Sequence, residues 1–367
     1  MTYKYLPGLD SLRFFAAFFV IISHANQSII KLGIGIPCTL SPIFEKGGDA
    51  VDFFFTLSGF LITYLLLQEK ETTGSISLKN FYLRRVFRIW PLYFIVLAIG
   101  FTFFTLIYPL IFKETFFRFN VWHGLLLFVF FLPNYAAKNY AVGLLNPLWS
   151  IGVEEQFYLF WAPLMKTFKN HTLLLITCFI LVSTLFSYVV NFRLIPIAEN
   201  WSNFFIFLKF HNMAIGCIFA YVLHSWHTRY INTLFTHKAT QALVIAALSY
   251  HYMVGFRFIP NPFLDIVQSV LYGLLILNVS SIPNKLVNLE IKPLLFLGRI
   301  SYGLYMYHML ADYFLRYLFS KYVSCSHFPV ATMVSYHVLL LTLTIGIATV
   351  SYFFVERKVL ALKHRFA

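Results

Sequence analysis

The chain has 367 residues, 59% of them apolar and 20% aromatic, and only 11% are charged. A soluble domain carries about 25% charged residues, so composition excludes an ordinary soluble enzyme and indicates one integral membrane domain, residues 1–367, without a separate hydrophilic unit of about 100 residues. The net charge of +14 fits the Lys and Arg excess of cytoplasmic loops rather than nucleic-acid binding.

In chain order, ten apolar runs are long enough to span a bilayer, near 11–30, 50–68, 90–111, 149–165, 172–191, 204–223, 239–256, 263–281, 294–319 and 333–355. Each falls in the range of about 17 to 25 residues that a spanning helix needs. Val121 to Leu132 is shorter and reads as an interfacial or re-entrant helix. The predicted fold is therefore all-α, a polytopic bundle of about ten transmembrane helices plus that short one. With the N-terminus inside, sixteen Lys and Arg fall in inner segments and eight in outer ones. That asymmetry puts both termini in the cytoplasm. Ser23-His24-Ala25 also resembles a signal-peptide cleavage site, but Asp10 and Arg13 abut the apolar core and Lys4 is the single side-chain cation ahead of it.

The first run carries Arg13 and His24. Eleven residues at 100° each come to three turns plus about 20°, so the two share a helix face about 16 Å apart, with Asp10 on the same side. Ionisable groups at that depth are costly and are functional candidates; the plainer alternative is a snorkelling arginine and a packing histidine. Asp49 and Asp52 open the second run, where a carboxylate suits a helix N-terminus. Ser58-Gly59 permits close helix contact.

Arg84, Arg85 and Arg88 precede the third run, and Arg85 and Arg88 share a face. They anchor the inner surface or bind phosphate in bidentate fashion. Trp90 suits the interface, and Pro91 the first turn of the buried helix. Glu154 and Glu155 in the fourth run point about 100° apart, so at least one faces a polar cavity. Arg299, Tyr302, Tyr305 and His308 recur at three-residue steps as a slanted polar stripe. Glu356 and Arg357 anchor the end of the last run. His224-x-x-His227 offers two histidines, too few for a metal site, and no metal is expected. Cys38 and Cys325 both fall in outer loops, where pairing stays open.

Five segments, "LDSLRFFAAFFVIISH", "VDFFFTLSGFLI", "FYLRRVFRIWPLY", "LWSIGVEEQFYLFW" and "ISYGLYMYH", resemble the acyltransferase-3 family of membrane acyltransferases. They follow the family's order over about 300 residues. Arg13 and His24 match its Arg-x10-His pair, and Arg85 and Arg88 its Arg-x-x-Arg. Ala50 departs from the glycine common in "GVDxFF". The resemblance implies a membrane O-acyltransferase of the bacterial inner membrane. It would carry acetyl from cytoplasmic acetyl-CoA, a substrate rather than a resident cofactor, to a cell-surface saccharide or lipid-linked glycan, lipopolysaccharide O-antigen by preference. The chain is expected to lack the C-terminal SGNH domain of some members.

On that reading His24 is general base or acyl acceptor, Arg13, Arg84, Arg85 and Arg88 hold the donor, and Asp10 orients Arg13. Asp52, Glu154, Glu155, Tyr302 and His308 serve the acceptor sugar or tune His24. Apart from membrane lipid, a separate periplasmic acyltransferase is a further partner if the chain only relays acyl groups. A transporter and an enzyme with a non-glycan acceptor remain the rival readings.

Overall fold

A computed structural model describes residues 5–34, 41–117, 119–225, 235, 237–256, 259–260, 263–280, 286–323 and 329–366. Cys38, Cys325 and His227 lie outside them. The described chain is helical, with no strand among the described residues. The helices are α1 Leu9–Lys31, α2 Ser41–Phe44, α3 Gly47–Thr73, α4 Leu78–Thr102, α5 Tyr108–Phe112, α6 Val121–Val129, α7 Pro133–Asn139, α8 Leu148–Thr167 and α9 Thr172–Asn191. There follow α10 Glu199–Ile206, α11 Phe210–Ser225, α12 Lys238–Met253, α13 Phe263–Ser280, α14 Lys292–Arg299, α15 Ser301–Tyr322, α16 Pro329–Ser351 and α17 Arg357–Phe366. Single π-helical turns, Phe103–Ile107 and Tyr352–Glu356, join α4 to α5 and α16 to α17.

Seven of these segments are long and apolar enough to cross a membrane: Leu9–Lys31, Gly47–Thr73, Leu78–Phe112, Thr172–Asn191, Glu199–Ser225, Phe263–Ser280 and Pro329–Leu362. The other three expected spans are helices too. α8 carries Glu154, Glu155 and Lys166, α15 carries Asp312, Arg316 and Lys321, and α12 has only 16 residues. α6 has nine residues, about 14 Å of helix, too little for a core of about 30 Å.

Two expectations need correction. Pro91 lies in the interior of α4, because Ser77 starts that helix early by accepting from Asn80 N at 3.4 Å. The run 294–319 is two helices divided at Ile300, where φ is −89° and ψ 4°. Arg299 ends the first, is exposed, and is separated from the stripe formed by Tyr302, Tyr305 and His308.

α3 is the axis of the bundle and packs against α1, α8, α11 and α13. Its closest neighbour is α11. A Cβ on Gly59 would run into the carbonyl of Met213, and one on Gly216 into the carbonyl of Thr56. The two backbones therefore touch through a glycine on each side, and Cys217 Sγ donates to the Gly59 carbonyl at 3.5 Å. Hydrocarbon offers no hydrophobic drive between helices, so such close approach supplies the attraction by dispersion. α1 wedges between α3 and the group α14, α15 and α16, with Ala17, Ile21 and Ala25 fully buried.

The segments of the cation-rich side gather at one end. Lys70 Nζ meets the Lys169 carbonyl, His224 Nε2 lies 3.6 Å from Glu71, and Tyr5 donates to Glu290 at 3.3 Å. Glu356, just before α17, sits beside Gly303 near the Ile300 break, so α1 begins and α16 ends at this same end. That is the Arg13 end; the opposite one is the His24 end.

Gly59→Ala is expected to lower the melting temperature in detergent by several degrees, since overpacking typically costs about 1–3 kcal/mol. Gly48→Ala, where a Cβ meets nothing within 4 Å, is expected to leave it unchanged. A thermal-shift series on the two purified variants checks this.

Candidate active site

A cavity of about 130 Å³ lies among α1, α3, α4, α8 and α15. Arg13, Arg85 and Arg88 line it together with Glu154, Tyr302 and Tyr305. The periodicity of α4 puts Arg85 and Arg88 on one face, and the wedge of α1 brings Arg13 to them. Arg13 Nη1 donates to Asp10 Oδ1 at 2.8 Å. Asp10 is itself fixed by α14, because a Cβ on Gly298 would strike its backbone. Arg85 Nε is buried and has no hydrogen-bond partner. Three guanidiniums against the single lining carboxylate of Glu154 make the cavity an anion site, and planar N–H forks suit phosphate oxygens.

Hydroxyls order the opposite wall. Tyr158 donates to Glu154 Oε2 at 2.9 Å and lies 2.9 Å from Ser58 Oγ. Tyr305 and Ser150 share a hydrogen bond of 2.7 Å, and Tyr302 donates to the Ile89 carbonyl at 2.9 Å. Tyr305 and Tyr302 come from the polar stripe of α15; Ser58, Ser150 and Tyr158 lie within the quoted family-like segments, but sequence reading gives Ser58 only a packing role and assigns none to Ser150 or Tyr158.

His24 does not line the cavity. It lies beyond Tyr305, whose ring centroid is 5.7 Å from that of His308, which is in turn 4.9 Å from that of His24. Each imidazole is tied to its own helix: His24 Nδ1 is 3.0 Å from the Val20 carbonyl and His308 Nδ1 2.6 Å from the Tyr305 carbonyl. A carbonyl only accepts, so both Nδ1 atoms carry hydrogen and both Nε2 atoms hold the lone pair in the neutral ring. His308 Nε2 is buried without a partner. One turn further along both helices, Ser28 Oγ donates to Asp312 Oδ2 at 2.8 Å and Tyr336 donates to Asp312 Oδ1 at 2.8 Å. His24 and Ser28, and His308 and Asp312, are each four residues apart, so the α1–α15 seam holds the imidazoles and the carboxylate on facing stripes.

Three predicted residues have other attachments. Arg84 pairs with Glu69 at 2.5 Å and does not line the cavity; the same carboxylate receives Ser77 N at 2.9 Å, so this pair closes the α3–α4 turn. Glu155 Oε2 accepts from Trp90 Nε1 at 3.1 Å, leaving Glu154 as the cavity-facing member of the pair. Asp52 lies in a separate cluster at the His24 end. Lys209 bridges it, at 3.5 Å, to Asp265, and Asp49 nearby meets His251 at 2.8 Å and Lys46 at 3.1 Å. Neither Asp49 nor Asp52 caps α3. Among the described residues no group of three or more His, Cys, Asp or Glu could hold a metal ion.

The model of a family described as "Acyltransferase domain" matches residues 6–355. The O-acetyltransferase OatA of Staphylococcus aureus is 29% identical over 96% of this chain and 57% of its own length. The peptidoglycan O-acetyltransferase OatA of Listeria monocytogenes is 28% identical over 83% of this chain and 49% of its own length. The chain thus spans about half the length of the curated relatives it matches. No solved structure matches it.

Asp312→Ala removes the acceptor of the Ser28 hydroxyl and leaves the Tyr336 hydroxyl only its 3.2 Å bond to the Asp312 carbonyl, and is expected to destabilise the protein by about 1–3 kcal/mol. Asp312→Asn keeps an acceptor and is expected to lose less. Melting temperatures of the two variants check the order.

Proposed function

Because the chain belongs to the acyltransferase-domain family, we propose that it transfers an acetyl group from acetyl-CoA to a sugar hydroxyl of a cell-envelope glycan. The observation that supports this most directly is the sequence of surfaces across the bundle. An arginine-lined cavity at one end leads, through Tyr305, to two imidazoles with free Nε2 lone pairs. Coenzyme A is rich in phosphate, which suits Arg13, Arg85 and Arg88. The rise of about 16 Å from Arg13 to His24 suits an extended thioester arm. The donor is cytoplasmic, so the Arg13 end faces the cytoplasm and both termini lie there, in agreement with the cation bias.

In the proposed reaction His24 Nε2 takes the proton of the acceptor hydroxyl. The oxygen attacks the thioester carbonyl, the C–S bond breaks, and the imidazolium returns the proton to the departing thiolate. In the covalent variant His24 Nε2 attacks the thioester carbonyl, the C–S bond breaks and coenzyme A leaves as the thiolate; the acceptor hydroxyl then attacks the acyl-imidazolium, its proton passes to the thiolate, and the C–N bond breaks to restore the neutral imidazole. Asp10 orients Arg13 through their 2.8 Å bond. Glu154, Tyr302 and Tyr305 shape the wall on which the arm lies, and His308 packs against the reacting ring. The Listeria relative is named for peptidoglycan, which favours a peptidoglycan-type acceptor; nothing among the relatives favours the O-antigen preferred from sequence.

Labelled acetyl-CoA supplied to membrane vesicles is expected to label the envelope glycan fraction. His24→Ala is expected to reduce transfer at least about 100-fold, the lower range for acid–base catalysis. Arg85→Ala is expected to raise the KM for acetyl-CoA about 10-fold, the worth of one charge-assisted hydrogen bond. Full activity in His24→Ala at matched abundance would overturn the role of that residue. Transfer that needs an added periplasmic transferase would convert the reading to an acyl relay, and no acetyl incorporation with any envelope glycan would reject it.

A further inference from the structure

On the side of α1 away from the arginines, α1, α12 and α13 do not close on one another. Two cavities, of about 350 and about 160 Å³, lie between them. Both are lined by Leu12, Ile245 and Leu275, so they form one cleft. From Leu12 to Phe19 on α1 it extends about 10 Å along the helix. The larger part is almost wholly apolar, and the Phe19–Tyr252 ring contact, centroids 4.9 Å apart, closes it toward the His24 end.

The smaller part, toward the Arg13 end, is different. Asn278 lines it and is 3% exposed, yet neither its Oδ1 nor its Nδ2 has a hydrogen-bond partner. An amide buried that way costs about 1–3 kcal/mol, and hydrocarbon alone cannot relieve it. Asn278 lies toward the Arg13 end of α13: its neighbour Val279 and Leu289, which line the same part of the cleft, are what a Cβ on Gly8 would meet. On α12, Gln241 also lines this part of the cleft. Its Oε1 accepts from Leu286 N at 3.0 Å. Lys238, one turn outward on the same face of α12, is exposed.

We propose that this cleft is a binding site for one anionic glycerophospholipid from the leaflet at the Arg13 end. Its ester carbonyl accepts from Asn278 Nδ2. One acyl chain runs between α1 and α12 toward Phe19 and Tyr252, and its phosphate lies against Lys238. The lipid completes the packing of the helix whose other face carries Arg13 and His24. A free fatty acid or prenyl chain would fill the apolar part but bring no ester to the amide.

Native mass spectrometry of the full chain, extracted in mild detergent, tests this. The wild type is expected to retain one phosphatidylglycerol-class lipid. Asn278→Leu and Ile245→Trp, the second of which fills the cleft from a residue 39% exposed on α12, are each expected to lower its occupancy at least tenfold. Lys238→Gln is expected to shift the retained lipid from anionic to zwitterionic. After delipidation, added phosphatidylglycerol is expected to raise the melting temperature of the wild type and not of Ile245→Trp, which keeps the test open if Asn278→Leu fails to fold. Equal retention in wild type and Ile245→Trp, a prenyl lipid in place of the phospholipid, or no retained lipid and no thermal response in the wild type would overturn the proposal.

Discussion

A guanidinium, carboxylate or imidazole inside a bilayer must have a partner or a polar cavity, and the arrangement of this bundle follows from that requirement. Asp10 holds Arg13, Glu69 holds Arg84, Trp90 holds one oxygen of Glu155, and Ser28 with Tyr336 holds Asp312. The Trp90–Glu155 and Ser28–Asp312 bonds cross between helices that are distant in the chain. The helices that cross are those that surround the cavity, so satisfying the buried polar groups and assembling the site are the same packing problem.

The atoms left without partners are as informative as those that are paired. Arg85 Nε beside the cavity, His308 Nε2 beside His24, and both side-chain atoms of Asn278 beside the lateral cleft are buried and unsatisfied. Native proteins leave few such groups, and each needs an explanation. Among the buried unsatisfied atoms of the described residues, these stand at three separate places with three different chemistries: a charged fork suited to an anion, a lone pair suited to a proton or acyl carbon, and an amide suited to an ester. α1 borders all three while packing against α3, α14, α15 and α16.

Rigidity of the site rests on contacts that carry no chemistry. The backbone approach of α3 and α11 through Gly59 and Gly216 holds the helix that supplies Ser58 to the cavity. The Ile300 break lets α14 turn its Gly298 onto Asp10 while α15 continues with Tyr302, Tyr305 and His308 facing inward. The π turn at Tyr352–Glu356 shifts helical register at a place where Glu356 lies beside Ser351 and Gly303. That carboxylate, which the sequence reads as a simple anchor, is thereby turned partly inward.

The sequence by itself determined what depends on local periodicity and on the solvent. Runs of apolar residues must be helices in a bilayer because no other open segment satisfies its backbone there. The helical repeat put Arg13 and His24 on one side, Arg85 and Arg88 on one face, and required that Glu154 and Glu155 diverge. Only the tertiary structure decided which partner each polar group found: that Glu154 and not Glu155 faces the cavity, that Arg84 closes a turn, that Asp52 joins Lys209 away from the cavity, and that Asp312 clasps α1 to α15. Those pairings join residues as far apart as Ser28 and Asp312, and they depend on the rotation and depth of whole helices. Helix rotation is set by small-residue contacts and polar bonds between spans, which one strand of sequence, read a window at a time, does not contain.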